Sequence, residues 1–195
     1  MENSYTIEEM LTLIVIVSFL GFCLENIWLA FRKGYIDNRN MHLPFLLGYG
    51  LAIAGGYFVF GLPDEEHIGT YWITMFIVVS AGEILLGTAT EYFCGYIYWD
   101  YTSIPLHITR YTSVPTSIAF ACIITIFMGK CFMPLMLWIS LLPFVLKRYV
   151  FRSVFFLLVI DWLDCSRHMR LTHSLNERWR IVISDKQIEE KRHVF

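Results

Sequence analysis

The chain has 195 residues, of which 56% are hydrophobic, 17% aromatic and only 16% charged, with a mean hydropathy of +0.55. A soluble domain is closer to about 45–50% apolar and about 25% charged, so this composition belongs to a membrane protein and the length suits one small helical bundle. The net charge of −2 and a pI near 6.3, with basic residues confined to short flanks, exclude a nucleic-acid-binding surface.

The first apolar stretch covers 7–31. It is not a signal peptide, because Glu2, Glu8 and Glu9 stand where a signal is basic and the run outlasts an h-region; it is expected to be a retained span. Further apolar stretches follow at 43–62, 70–98, 113–130, 132–146 and 150–163. A hydrocarbon core of about 30 Å needs about 20 helical residues. The first three stretches meet that length and the fourth is at its lower edge. Lys130, Pro134 and Pro143 break up the last two.

Loop charge orients these segments. The first loop carries Arg32, Lys33 and Arg39 against Asp37, and the second, GLPDEEH, is acidic. The positive-inside tendency puts the first loop and the third (99–113) in the cytoplasm and the N-terminus outside. Lys147-Arg148-Tyr149 and the tail RHMRLTHSLNERWR both look cytoplasmic, which a full crossing by 150–163 forbids. The expected fold is therefore all-α, a polytopic transmembrane bundle of five spans plus a short interfacial or re-entrant helix at 150–163, with six spans as the alternative. Residues 1–165 form the bundle. Residues 166–195 form a polar, mixed-charge cytoplasmic tail, mobile or weakly helical from 176. No repeat of 20–50 residues stands out.

Three acids sit in this apolar background: Glu25 toward the inner end of the first span, Glu83 near the middle of the third, and Glu91 two turns further on. Glu83, Gly87, Glu91 and Gly95 are four apart, so a helix stacks them on one stripe where glycine admits a close neighbour. An acid at the bilayer centre costs on the order of 2.5–3.5 kcal/mol, which protonation, a bound cation, a polar substrate or a polar cavity must offset. Simple hydrogen bonding across the bundle is the alternative. The inward loops supply Arg39 and His42, and Trp99, Asp100, Tyr101, His107 and Arg110. The aromatics suit the interface, and an arginine fork suits a phosphate or carboxylate. A salt bridge that pins the loop is the plainer reading of Asp100 and Arg110.

Five cysteines without a CxxC pair suggest buried thiols and no disulfide framework. Metal binding is not expected, since HExxH is lacking and Cys165-x-x-His168 alone is weak. The chain has no GxSxG elbow and no GxxxxGK[ST] loop, hence no P-loop ATP hydrolysis of its own, and no cofactor motif.

GFCLENIWLAFRKGYIDNR, LPFLLGYG, GEILLGTATEYFCGYIYWDY and IPLHITRYTSVPTSIAF, in this order, resemble the "putative ABC-transporter type IV" permease-like membrane proteins. The likeness covers about residues 18–120, with Asp161 also corresponding. It implies a multi-pass inner-membrane protein and carries over Glu25, Glu83, Trp99, Asp100 and Tyr101. NRNMHLP replaces an expected glycine-rich turn, and His107 a smaller polar residue, so His42 and His107 are not carried over. Three functions follow as expectations. The first is a permease-like transport subunit in membrane lipid, its carboxylates lining a cavity, with a separate ATP-binding subunit if ATP drives it. The second is an enzyme acting on a lipid or isoprenoid head group, with Glu83 or Glu91 as acid/base and Arg110 holding the anion. The third is a non-catalytic scaffold.

Overall fold

The computed structural model describes residues 5–183 and is mostly helical, at 70%. Five continuous helices follow one another. They are α1 (Ile7–Lys33), α2 (Leu47–Phe60), α3 (Ile68–Cys94), α4 (Val114–Leu141) and α5, a π-helical turn at Leu146–Phe151 running on as Arg152–Thr172. Two short antiparallel ladders accompany them: β1 (Tyr35–Asp37) with β4 (Arg180–Val182), and β2 (His107–Thr109) with β3 (Thr112–Ser113). Three helices, α1, α3 and α4, are long and apolar enough to cross a membrane. Apolar α2 has 14 residues, about 21 Å of helix.

The chain divides into two units, one of residues 1–54, 142–166 and 175–195, the other of 55–141 and 167–174. In the first, Thr6 caps α1: its hydroxyl accepts the Glu9 N–H while the Glu9 carboxylate accepts that of Thr6, satisfying two otherwise orphaned donors. Gly34, at φ 73°, ends α1 in the left-handed conformation that favours glycine. The chain then enters β1, and Ile36 pairs with Ile181 of β4. Gly50 of α2 lies so close to α1 that a Cβ there would strike the Ile14 carbonyl and the Ser18 hydroxyl. Phe22, Met41, Leu46 and Cys165 form a buried cluster against Tyr49.

In the second unit α3 packs along α4. Ser113 caps α4 through a reciprocal pairing with Thr116, and Pro115 occupies its first turn, where no intrahelical N–H is needed. Met75, Ala121, Met128, Phe132, Met136 and Ile139 are buried, and Tyr57 stacks on Phe132 at 4.7 Å.

Three expectations change. The stretches at 113–130 and 132–146 are not separate, because α4 runs through Lys130 and Pro134 as one 28-residue helix. Proline removes one N–H and presses on the carbonyl four residues back; the wider π turn at Phe127–Cys131 immediately before it accommodates both. The break falls at 142–143 instead. Second, the stretch at 150–163 is no short helix: α5 extends through Thr172, across a boundary drawn at 165. Lys147 near its start bonds Glu9 at 3.2 Å at the beginning of α1, and Asp161 meets His42 beyond α1's other end. Fourteen residues of helix separate those contacts, about 21 Å. Third, the tail contains a strand at Arg180–Val182, with Arg180 over the Tyr35 ring, where weak helix was expected. Residues 184–195 lie outside the described residues.

The Lys147–Glu9 pair is only 9% and 14% exposed, and removing one member of a buried pair strands the other charge. Lys147→Met should lower unfolding stability in detergent by about 3–5 kcal/mol, and adding Glu9→Gln should recover most of it. A single variant as stable as wild type would mean that the pair does not hold α5 to α1.

Candidate functional site

Glu25 is met by donors from the chain that follows its own helix. Its carboxylate accepts from the Arg39 guanidinium at 2.9 Å and from the Tyr49 hydroxyl at 2.7 Å. The Tyr49 ring reaches it across Gly21, one turn earlier in α1, where a Cβ would fall inside the ring's contact surface. Arg39 arrives because it and Asn40 turn the chain with φ of 48° and 67°, a conformation asparagine tolerates better than most residues. Asp37 supports the turn by accepting the Arg39 N–H at 2.8 Å, while its own N–H donates to Asn26 at 2.9 Å.

The second unit repeats this construction. Glu91 accepts from the Tyr111 hydroxyl and, at 3.4 Å, from Arg110. The Tyr111 ring sits on Gly87, again one turn before the acid. A Gly-x-x-x-Glu pair, a left-handed glycine ending the helix, the sequence Gly-Tyr-Ile after it, then Arg and Tyr turned back onto the Glu: all recur, at 21–49 and at 87–111. The expectation of no repeat therefore fails at the level of geometry. Two further helical turns follow Glu25 but only one follows Glu91, so no fixed sequence register exposes the likeness.

Trp99 donates its indole N–H to the Tyr111 carbonyl at 2.9 Å, and the Tyr101 N–H donates to the Arg110 carbonyl at 2.8 Å. These bonds hold the loop so that Arg110 and Tyr111 reach Glu91. Burial, and then the Glu91 carboxylate beside it, push the Tyr111 phenol above its ordinary range, so it remains a donor. Asp100 is exposed and closes a local turn by accepting the Thr102 N–H at 2.8 Å, which holds its carboxyl below the usual range. His107 is exposed, 3.3 Å from the Ile104 carbonyl.

Glu83 has a different setting. Thr112 donates to it at 2.6 Å and Ser117 at 3.4 Å, and both hydroxyl residues are fully buried. Hydroxyls satisfy a carboxylate without neutralising it, leaving oxygen atoms of the type a proton or a hard cation prefers. Between this group and Glu91, Gly87 is covered by Tyr111, so that part of the glycine stripe is a packed interface.

A third group forms around the loop at 38–44. Asp161 accepts the backbone N–H of His42 at 3.0 Å and of Leu43 at 3.0 Å, and faces His42 Nδ1 at 2.6 Å. Cys165, one turn further along α5, lies 3.3 Å from the same nitrogen. The Asn176 N–H donates to Asn40, and Asn38 donates to the Asn176 carbonyl. His42, Asp161 and Cys165 each offer an atom within 4.8 Å of the others, a spacing that can hold a metal. Asp64, Glu66 and His67 also approach one another, but on a fully exposed loop.

Among the expected residues, Glu25 meets Arg39 and Glu91 meets Arg110, while Glu83 turns to Thr112 and Ser117. Sequence reasoning missed Tyr111, Thr112, Ser117 and Asn176, gave Tyr49 no role at the site, and weighed Cys165 only with His168, not with His42 and Asp161. Glycine one turn before each acid was the available signal for the tyrosines, since a ring needs that gap. Tyr111→Phe should cost about 0.5–1.5 kcal/mol by removing one of the two donors to the half-exposed Glu91 carboxylate, and Gly87→Leu should cost more by evicting the ring. Unchanged thermal unfolding of both variants in detergent would contradict this packing.

A family model described as "Putative ABC-transporter type IV" matches residues 12–165. Searches among curated proteins and among solved structures return no match. The matched span contains the Glu25, Glu83 and Glu91 groups together with α1 from residue 12 and α2 to α4, and it ends on Cys165. Three helices fit to cross a membrane, and a match over most of the chain, show that this membrane protein belongs to the family described as "Putative ABC-transporter type IV".

Proposed function

We propose that the chain is the permease-like subunit of an ATP-driven transporter, working with a separate ATP-binding subunit, and that Glu83 lies on the solute path. The family name supports the transport class. The given sequence has no phosphate-binding loop, which accords with nucleotide chemistry carried by an ATP-binding partner. Five crossings, one per helix, fit the charges. Arg32, Lys33 and Arg39 then lie inside with the loop at 95–113 and the tail, and Asp64, Glu65 and Glu66 lie outside. Lys147 falls on the outer side, where Glu9 neutralises it. This arrangement suits an inner (plasma) membrane with the N-terminus out.

The observation that carries the path assignment is the hydroxyl setting of Glu83. Glu25 and Glu91 are each bonded to an arginine and a tyrosine, an arrangement suited to holding loops. Glu83 has Thr112 and Ser117 as donors, and a hydroxyl can rotate to let the carboxylate exchange a proton or a cation. Arg39 and Arg110, pointed at these glutamates, are poorly placed to grip a lipid head group. The second reading is a scaffold, favoured by the Tyr111 ring filling the stripe at Gly87.

Affinity purification of the tagged chain from its own membranes should bring down a subunit with an ATP-binding phosphate loop. In proteoliposomes of that complex, Glu83→Gln should lower ATP turnover at least tenfold while assembly is kept. Absence of such a subunit would remove the transporter reading. An unimpaired Glu83→Gln complex would take Glu83 off the path and favour a packing role.

A further inference from the structure

His42, Asp161 and Cys165 are used by neither the path nor the two glutamate clamps, yet of the two metal-ligand groups found among the described residues they are the buried one. Asp161 and Cys165 are four apart on α5 and so share a face, and His42 closes on them from the loop after α1. The Nδ1–Oδ1, Sγ–Nδ1 and Sγ–Oδ1 separations are 2.6, 3.3 and 3.7 Å. Cys165 is fully buried and Asp161 nearly so.

As hydrogen bonds these contacts can be met by the imidazole Nδ1–H and the Cys165 thiol both donating to Asp161 Oδ1. The same three ligand atoms lie within 4.8 Å of one another, with Asp161 and Cys165 buried, which is also the spacing of a metal's ligands. A cation among the three satisfies all of them at once, with imidazole, carboxylate and thiolate each giving a lone pair. Zinc bonds of about 2.0–2.3 Å set ligand separations of roughly 3.3–3.8 Å in a tetrahedron. Both sulfur distances already fall there, and only the N–O pair has to open. It can do so by rotation of the Asp161 carboxyl, whose second oxygen keeps the Leu43 N–H at 3.0 Å.

The surroundings of the ring match what a ligating histidine needs, a partner on its other nitrogen. His42 Nε2 lies 3.2 Å from the Asn176 amide and 3.7 Å from an Asp164 carboxylate oxygen. A half-turn of the amide presents its oxygen to an Nε2–H. Mixed nitrogen, oxygen and sulfur donors select zinc-like transition ions over magnesium or calcium.

We infer that His42, Asp161 and Cys165 form a three-ligand site for a divalent transition metal, zinc by preference, which fastens the loop at 38–44 to α5. A fourth position remains for water or another donor. The inference is independent of Glu83 and of the transport reading.

The full chain, purified in detergent and stripped with a chelator, should bind one Zn²⁺ per chain in competition with a chromophoric chelator. With Co²⁺ it should show a near-ultraviolet thiolate-to-metal band. Cys165→Ser should abolish the band and weaken Zn²⁺ binding at least tenfold, whereas Cys94→Ser and Cys131→Ser should leave both intact. His42→Gln, which keeps the backbone N–H groups that Asp161 holds, should weaken Zn²⁺ binding to a similar degree. Failure of the wild-type chain to bind Zn²⁺ stoichiometrically, or a cobalt band that survives Cys165→Ser, would overturn the site.

Discussion

A carboxylate carried by a membrane-spanning helix must be met by hydrogen-bond donors or give up its charge, and in this chain the donors come from the segment that follows the helix. That requirement shapes both α1 and α3. α1 and α3 each carry a glutamate toward the end from which the chain turns back, and each following segment is bent until an arginine and a tyrosine reach that acid. Glycine one turn before the acid is part of the same solution, because the tyrosine ring occupies the volume a side chain would take. The strained turn at Arg39 and Asn40 follows too, since an extended chain would carry the guanidinium away from Glu25.

The loop at 38–44 is held from three directions within its unit. Glu25 holds Arg39, Asp161 holds the backbone of His42 and Leu43, and the segment at 176–178 exchanges hydrogen bonds with Asn38 and Asn40. A shift of α5 along its axis therefore moves this loop directly. Glu83 differs in the donors it meets, the buried hydroxyls of Thr112 and Ser117.

Much of the architecture was legible because hydrocarbon is an exacting solvent. Composition alone identifies a membrane bundle, but Gly95, expected on the helical stripe, instead ends α3 in the left-handed conformation. The four-residue spacing correctly put Glu83, Gly87 and Glu91 on one stripe, but it gave no means of telling a hollow from a packed face, and Tyr111 decides for packing at Gly87. Pro134 was misleading. A proline cost assigned to a regular α-helix overlooks the π turn that relieves it. Lys147 meets Glu9, 138 residues away in sequence, a pairing that no count of local loop charge can anticipate. His42 and Asp161 are 119 residues apart, and no local spacing rule reaches a metal-ligand group assembled over that distance.

The central claim is that the intramembrane acids are coupled to the loops that follow them. A double-mutant cycle between Glu25→Gln and Tyr49→Phe, read by unfolding of the full chain in detergent, tests it most directly. Residues bonded through a charged group in a shielded setting give coupling energies of about 0.5–3 kcal/mol; the account predicts a value in the upper half of that range. Strict additivity of the two substitutions would contradict it.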